Sequence, residues 1–282
     1  MRTILIIISG GADDPGLCED RLTPLAAANP ASLNILTKMS VLGTIRPVPY
    51  FLNVSQKNAL LGILGYDVRR GDVTEMELIQ SGVSQISDNE IPSFIIPGFS
   101  GHGAMVTTSL LARGIAKMAS LSIPDIYSPG AGEEDILSTM ADMSVKLSKN
   151  NELVVVYTDS PYQASALRDY EAKKEALTLI DRLLINPIAD YVWTSSEKML
   201  LAVTADMIFP CATGHPINGA VPFLVYYNDF ELPGPTSGFN EITAAKEQAT
   251  TRLYPSLIRN LCYFGYDNSQ RFNSGFDMGP GF

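Results

Sequence analysis

The strongest constraint on the fold is a series of short, continuously apolar runs that alternate with helix-like segments. The runs have the length of strands, and such runs are typical of strands that are covered on both faces. They lie at Thr3–Ile8, Gly43–Arg46, Ser93–Ile96, Leu153–Tyr157, Leu200–Val203 and Pro222–Tyr227. Helices are predicted between them, at Ala31–Met39, Thr108–Ala119, Glu133–Leu147, Asp169–Leu184 and Thr243–Leu261. This alternation predicts an α/β fold with a doubly wound, mostly parallel sheet and helices on both faces.

The length and composition of the chain indicate one globular domain. Its 282 residues are enough for a large core, and 46% of them are hydrophobic. We therefore expect a single domain over residues 1–269. Residues 270–282 are rich in Gly and Phe and are expected to form a C-terminal tail.

Charge and cysteine usage exclude several partners and locations. The net charge is −10 and the densest basic cluster is the pair Arg69–Arg70, so we expect no nucleic acid partner. The first apolar run is only of strand length and ends at once in Ser9, and no later run is long enough to span a bilayer, so no membrane contact is expected. The three cysteines have no metal-binding spacing, which favours free thiols in the cytoplasm.

Loops at one edge of the predicted sheet are the expected site of function. In open α/β sheets, ligands bind beyond the carboxyl ends of the strands. The loops that follow or adjoin predicted strands there are Ser9–Asp14, Asn53–Asn58, Thr158–Gln163 and Ala205–His215.

Several stretches of the chain resemble one known family. They are LTPLAAANPASLNIL at Leu22–Leu36, LLGILGYD at Leu60–Asp67, Gly114–Ala119, EAKKEALTLID at Glu171–Asp181 and VPFLVY at Val221–Tyr226. In this order they resemble the archaeal-type cofactor-independent phosphoglycerate mutases of the alkaline phosphatase superfamily. The resemblance implies the α/β fold of that superfamily and covers most of the chain.

The resemblance also implies a site with two divalent metals, usually manganese or zinc. In the family, aspartates and three histidines hold the ions, and a serine takes the phosphoryl group; the ions lower the pKa of that serine and neutralise the phosphate. Matched motif by motif, the first metal aspartate falls on Ser9 and the serine nucleophile on Gln56, with Ser55 one place away. The Asp-x-x-x-His pair falls on Asp159 and Gln163. A later Asp-His pair falls on Asp206 and Met207, and the last histidine falls near His215.

These replacements predict a degenerate metal site. The whole chain has two histidines, His102 and His215, so three histidine ligands cannot exist. Amide and thioether groups, as at Gln163 and Met207, are poor substitutes for imidazole on a hard divalent ion. The ligands that remain are Asp159, Asp206 and His215, which are predicted to hold at most one ion of manganese, zinc or magnesium.

The substrate-binding parts of the family pattern are also altered. The position of the family's substrate-binding arginine matches a residue near Val73. Arg69 or Arg70 would take its place only if the loop had a different conformation from that in the family. The family inserts a cap domain after the segment that corresponds to Gly82, whereas here about ten residues separate Gly82 from Pro92. A missing cap near residues 83–92 would leave the phosphoryl group open to water.

Each candidate residue also has a purely structural interpretation. The turn Ser9-Gly10-Gly11 either binds an anion through backbone N–H groups or needs the positive φ of glycine, and the second interpretation is favoured. Asp13 and Asp14 either supply a displaced ligand or begin a polar loop, and the loop is favoured. Asp159 and Asp206 are equally balanced between metal ligands and hydrogen-bonded loop residues. His215 fits a surface loop, and Ser55 would need a shift of register to act as a nucleophile.

Three functions are consistent with these observations. The leading hypothesis is a mutase-like protein without ordinary mutase activity that binds a ligand or a partner. An alternative is an active metal-dependent phosphomutase, or a hydrolase of phosphate or sulfate esters, with a remodelled site and a small phosphate ester as substrate. A third is a structural subunit that forms a homo-oligomer through the surface left by the missing cap.

Overall fold

A mixed sheet of seven strands forms the centre of the molecule in a computed structural model, which describes residues 1–83, 92–96, 99, 101–126, 130–229, 234–235, 238–247 and 249–251. The strands are β1 (Arg2–Ile8), β2 (Val41–Ile45), β3 (Gly103–Val106), β4 (Leu153–Thr158), β5 (Met199–Ala205), β6 (Val221–Tyr227) and β7 (Ala249–Thr251). Their order across the sheet is β3-β4-β1-β5-β6-β2-β7.

Most neighbouring strands are parallel, as predicted. Strand β6 is the exception, because it runs antiparallel to both β5 and β2. The central strand β1 is parallel to β4 and to β5, and its last residue, Ile8, is aligned with both Thr158 and Ala205. Consequently Ser9, Asp159 and Asp206 each follow a strand at the same level of the same sheet edge. This register is what brings the candidate residues together.

Helices cover both faces of the sheet. The helices are α1 (Pro24–Ala28), α2 (Ala31–Thr37), α3 (Gln56–Ile63), α4 (Glu75–Val83), α5 (Leu110–Met118), α6 (Glu133–Ser148), α7 (Ser160–Ala166), α8 (Tyr170–Leu179), α9 (Asn186–Thr194) and α10 (Glu241–Lys246). A π-helical segment, Ile180–Ile185, joins α8 to α9. Alternate residues of β1 belong to different cores: Leu5 and Ile7 pack with α3, α4 and α5, whereas Ile4 and Ile6 pack with α2, α6 and α9. The doubly wound α/β fold is therefore confirmed.

Two of the predicted elements are wrong. Ser93–Ile96 is not a strand: the Phe94 N–H donates to the Met118 carbonyl at the end of α5, and the edge strand is instead Gly103–Val106. The helix predicted over Thr243–Leu261 ends at Lys246, and Ala249–Thr251 pairs with β2 as a strand. The rest of that predicted helix lies outside the described residues, as does the tail over 270–282. The single domain over 1–269 and the missing cap near 83–92 stay predictions.

None of the described helices is both long enough and apolar enough to cross a membrane.

Candidate functional site

The loop after β1 and the start of α3 meet at the carboxyl edge of the sheet. Gln56 is the first residue of α3, and its Nε2 donates to Ser9 Oγ at 3.1 Å. Ser9 is completely buried. Ser9 and Gln56, which the resemblance matches to a metal aspartate and to the nucleophile of the mutases, therefore bond to each other. The neighbouring Ser55 caps α3, because its Oγ accepts a hydrogen bond from the Asn58 N–H at 3.2 Å.

The turn after β1 is built on a glycine in the left-handed region. Gly10 has a φ of 64°, and a Cβ at this position would lie 2.8 Å from the Tyr162 Cα. The Gly10 N–H donates to Asp206 Oδ1 at 2.8 Å, and the Gly11 N–H donates to the Ile8 carbonyl at 3.1 Å. Because these N–H groups bond within the protein, the structural interpretation of the turn is confirmed.

Asp206 is a completely buried carboxyl group held by the protein itself. It is 0% exposed, and besides the Gly10 N–H it accepts a hydrogen bond from Tyr157 Oη at 3.4 Å. Burial raises the pKa of Asp206 to about 7, although its hydrogen bonds with Gly10, Ser9 and Tyr157 act in the opposite direction. The Gly10 N–H and the Tyr157 hydroxyl thus each donate to one of the two oxygens of this buried carboxyl group.

Met207, which follows Asp206, lies in an apolar cluster. It is 2% exposed and packs with Val48, Ala59 and Phe209. Tyr162 extends the cluster, with its ring edge-on to Phe209 and the ring centroids 4.8 Å apart. Met207, which the resemblance matches to a histidine ligand, therefore contributes to hydrophobic packing at the sheet edge.

Asp159 is half-buried at the start of α7. Gln163, one turn further along the helix, donates from Nε2 to Asp159 Oδ1 at 3.4 Å. Burial raises the pKa of Asp159, and hydrogen bonds, including those from Gln163 and Ser109, act against that rise. The pair that the resemblance matches to the Asp-x-x-x-His ligands of the mutases therefore forms a hydrogen bond within α7.

His215 lies on an exposed part of the loop after β5, where its backbone N–H donates to Thr213 Oγ1 at 3.3 Å. Across the described parts of the chain, no three side chains of His, Cys, Asp or Glu form a group that could hold a metal ion. The structure thus brings Asp159 and Asp206 to one edge without gathering His215 to them. That these three residues hold an ion stays a prediction.

A buried ion pair beside this edge was missed by the sequence analysis. Asp13 was expected to begin a polar loop, and this expectation is wrong: its side chain is 1% exposed and pairs with Lys173, which is 0% exposed. The Lys173 ammonium donates to Asp13 Oδ2 at 3.0 Å, to the Ala12 carbonyl at 3.0 Å and to the Phe209 carbonyl at 2.8 Å. One side chain of α8 therefore joins the loops that follow β1 and β5.

Further hydrogen bonds extend this ion pair. Asp13 Oδ2 also accepts from the Cys211 N–H at 3.1 Å, and the Asp13 N–H donates to Glu241 Oε1 at 2.9 Å. Glu241 Oε2 in turn accepts from Thr23 Oγ1 at 2.7 Å, which ties α10 to the start of α1. The sequence carries one signal of this network, because Lys173 lies at helical spacing from Leu177, Ile180 and Leu184 on the apolar face of its helix.

Comparison with solved structures defines the fold class. The PH0037 protein from Pyrococcus horikoshii aligns with a TM-score of 0.75 and 21% identity, over 93% of this chain and 96% of that one. The cofactor-independent phosphoglycerate mutase from Thermoplasma acidophilum aligns with a TM-score of 0.61 and 16% identity, over 94% and 100% of the two chains. The chain therefore has the α/β fold of these proteins.

Curated relatives add similarity in sequence. The 2,3-bisphosphoglycerate-independent phosphoglycerate mutase of Methanopyrus kandleri is 24% identical over 178 residues, which are 63% of this chain and 41% of that protein. That of Thermoplasma volcanium is 24% identical over 206 residues, or 73% and 48%. No protein-family model matches. The resemblance to the archaeal mutases is confirmed, and the chain spans less than half the length of these two relatives.

Replacing Lys173 by Met should destabilise the protein by about 3–5 kcal/mol, because the Asp13 charge would remain buried without its partner. The matched control is Lys174→Met, since Lys174 is more exposed and its ion pair is with the exposed Glu171. That control should change the free energy of unfolding by less than about 0.5 kcal/mol. Urea unfolding of both variants measures the difference, and equal stabilities would contradict the role given to Lys173.

The pH dependence of stability should report on Asp206. Its pKa is raised from 3.8 to about 7 in the folded protein, so the folded state binds more protons than the unfolded state between these values and stability falls as pH rises through them. Asp206→Asn removes this effect. From about pH 4 to pH 8, the free energy of unfolding of the variant should therefore rise by roughly 4 kcal/mol relative to that of the wild type.

Urea unfolding at both pH values tests this, with Asp190→Asn at an exposed position of α9 as the control. A variant that instead loses stability relative to the wild type as the pH rises would mean that an ionised Asp206 is stabilised by a partner.

Proposed function

We propose that this chain is a phosphoglycerate mutase-like protein of the alkaline phosphatase superfamily whose two-metal site is degenerate. In this proposal it has no ordinary mutase activity, and it binds a ligand or a partner at the carboxyl edge of its sheet. We also propose that it works in the cytoplasm, which the unlinked thiols of Cys18 and Cys211 support.

One observation carries the proposal: the positions that would hold metal are bonded to each other or packed away. Gln56 donates to Ser9, Gln163 donates to Asp159, and Met207 is buried among apolar side chains. Hard divalent ions prefer carboxylate oxygen and imidazole nitrogen, and an amide or a thioether is a weaker or mismatched donor. The donor set of this chain therefore does not fit the pair of metals used by the mutases.

The nucleophile position supports the same conclusion. Phosphoryl transfer in the family needs a hydroxyl group that attacks phosphorus, and the amide of Gln56 is a poor nucleophile. The hydroxyl nearest in sequence, Ser55 Oγ, accepts the hydrogen bond that begins α3. Lys57 would be a candidate to bind phosphate as a point charge, but its Nζ donates to the Val73 carbonyl at 2.8 Å.

The side chains at this edge of the sheet indicate what it would accept. Met207 and Phe209 are buried and pack with the partly buried Tyr162 in an apolar cluster, and Asp159 is half-buried at the same edge. Without a metal ion, an ionised carboxylate here would repel a phosphate dianion. A neutral ligand with apolar surface, or a segment of a partner protein, therefore suits this edge better than a phosphate ester does.

A second candidate function is an active enzyme with one divalent ion, acting on a phosphate or sulfate ester. The observation in its favour is that the charges of Asp206 and Asp159 both raise the pKa of Tyr157, after the larger effect of its burial. Both aspartates also follow strands that are aligned with the end of β1, so they lie at the same edge of the sheet. Because the described residues supply no third ligand beside them, we derive no reaction step through such an ion.

Turnover of phosphate and sulfate esters, assayed with manganese, zinc or magnesium, separates the two candidates. The wild-type protein should show no metal-dependent turnover and no interconversion of phosphoglycerates. Gln163→Ala and Asp206→Ala should leave this baseline unchanged. Metal-dependent turnover that is lost in Asp206→Ala would contradict the proposal and would favour the one-ion enzyme.

A further inference from the structure

Two cysteines that are far apart in sequence line one cavity. Cys18 lies in the loop after β1 and Cys211 in the loop after β5, and both border a cavity of about 500 Å³ beside the N-terminus of α8. Tyr170 lines the same cavity, and its hydroxyl donates to the Leu22 carbonyl at 3.0 Å. Neither the degenerate metal site nor the proposed function uses these thiols.

Both cysteines contact the same carboxylate. The Cys18 thiol donates to Asp13 Oδ1 at 3.6 Å, and the Cys211 backbone N–H donates to Asp13 Oδ2 at 3.1 Å. The Cys211 thiol itself donates to the Asp169 carbonyl at 3.7 Å. Because the two oxygens of one carboxylate are close neighbours, the two cysteines lie on adjacent sides of a single small group.

The surroundings of Cys18 leave it room to move. It lies between two short 3₁₀ turns, Pro15–Leu17 and Glu19–Arg21, and it is partly exposed. Leu17 and Leu22, on either side of it, are 46% and 49% exposed, so this segment is only lightly packed. Cys211 is buried, and its thiol lies 3.9 Å from Ser165 Oγ. The two thiols thus differ in exposure: that of Cys18 lies in a lightly packed segment at the cavity, and that of Cys211 is buried beside it.

We propose that Cys18 and Cys211 form a reversible disulfide when the protein meets a hydroperoxide. The thiolate of one cysteine attacks a peroxide oxygen, which breaks the O–O bond and gives a sulfenic acid and an alcohol or water. The second thiol then attacks this sulfur, and water leaves. In total two thiols lose two electrons and two protons to the peroxide, and two molecules of a low-molecular-weight thiol reverse the reaction by exchange.

The disulfide would join the same two loops that Lys173 joins. Its formation removes the hydrogen bond from the Cys18 thiol to Asp13 and replaces it with a covalent link between the loops after β1 and β5. Burial, together with the charge of Asp13, raises the pKa of the Cys18 thiol to about 12, so little thiolate is present at neutral pH. The link should therefore form slowly at pH 7 and faster at pH 9. This inference does not depend on the proposed function.

The test uses the full chain treated with hydrogen peroxide at pH 9, followed by thiol counting in denaturant and peptide mapping without reductant. The number of free thiols should fall from three to one, and a peptide pair joined through Cys18 and Cys211 should appear and should disappear with dithiothreitol. Cys18→Ser and Cys211→Ser should each abolish this pair. Cys262→Ser is the matched control and should leave it unchanged.

The competing outcomes overturn the proposal. They are a disulfide that includes Cys262, a link between two chains, oxidation of Cys18 to a sulfinic acid, or a thiol count that stays at three after prolonged treatment. The native fold of Cys18→Ser is checked by its melting temperature without peroxide, which should match that of the wild type. If that variant is destabilised, the mapped peptides of the wild type and of Cys262→Ser still decide the question.

Discussion

The candidate site depends on the buried ion pair between Asp13 and Lys173. A buried ammonium group is costly unless all of its protons find acceptors, and Lys173 finds three, of which two are carbonyls in the loops after β1 and β5. Asp13 in turn accepts the Cys211 N–H from the second loop. If either loop moved away from the other, the Lys173 ammonium or the Asp13 carboxylate would lose buried hydrogen-bond partners.

This arrangement explains how the loops at this edge of the sheet keep their positions through contacts within the protein. In a two-metal site, ions bridge loops that follow different strands, and their removal would leave carboxylates repelling each other. Here the loop after β1 is tied to the loop after β5 by Lys173 and by the hydrogen bond from Gly10 to Asp206. Met207 and Phe209 add apolar packing on the same side. Contacts within the protein therefore hold these two loops together at the edge of the sheet.

The strands and the sheet edge were predictable because their signal is local. Continuous apolar runs such as Leu153–Thr158 indicate strands covered on both faces, and the residue after such a run lies at the carboxyl edge. This is why Asp159 and Asp206 were correctly expected near each other. The Asp13–Lys173 pair was missed because its partners are 160 positions apart and each also fits a common local pattern. The strand predicted at Ser93–Ile96 was wrong because a short apolar run can pack in the core without pairing in the sheet.

The most direct test of the account is anomalous scattering from crystals grown with an excess of zinc or manganese. The account predicts no anomalous peak beside Asp159 and Asp206, with Gln56 still bonded to Ser9 and Met207 still packed against Phe209. A peak about 2 Å from a carboxylate oxygen of either aspartate would contradict it. Such a peak would mean that the edge of this sheet still holds a metal ion.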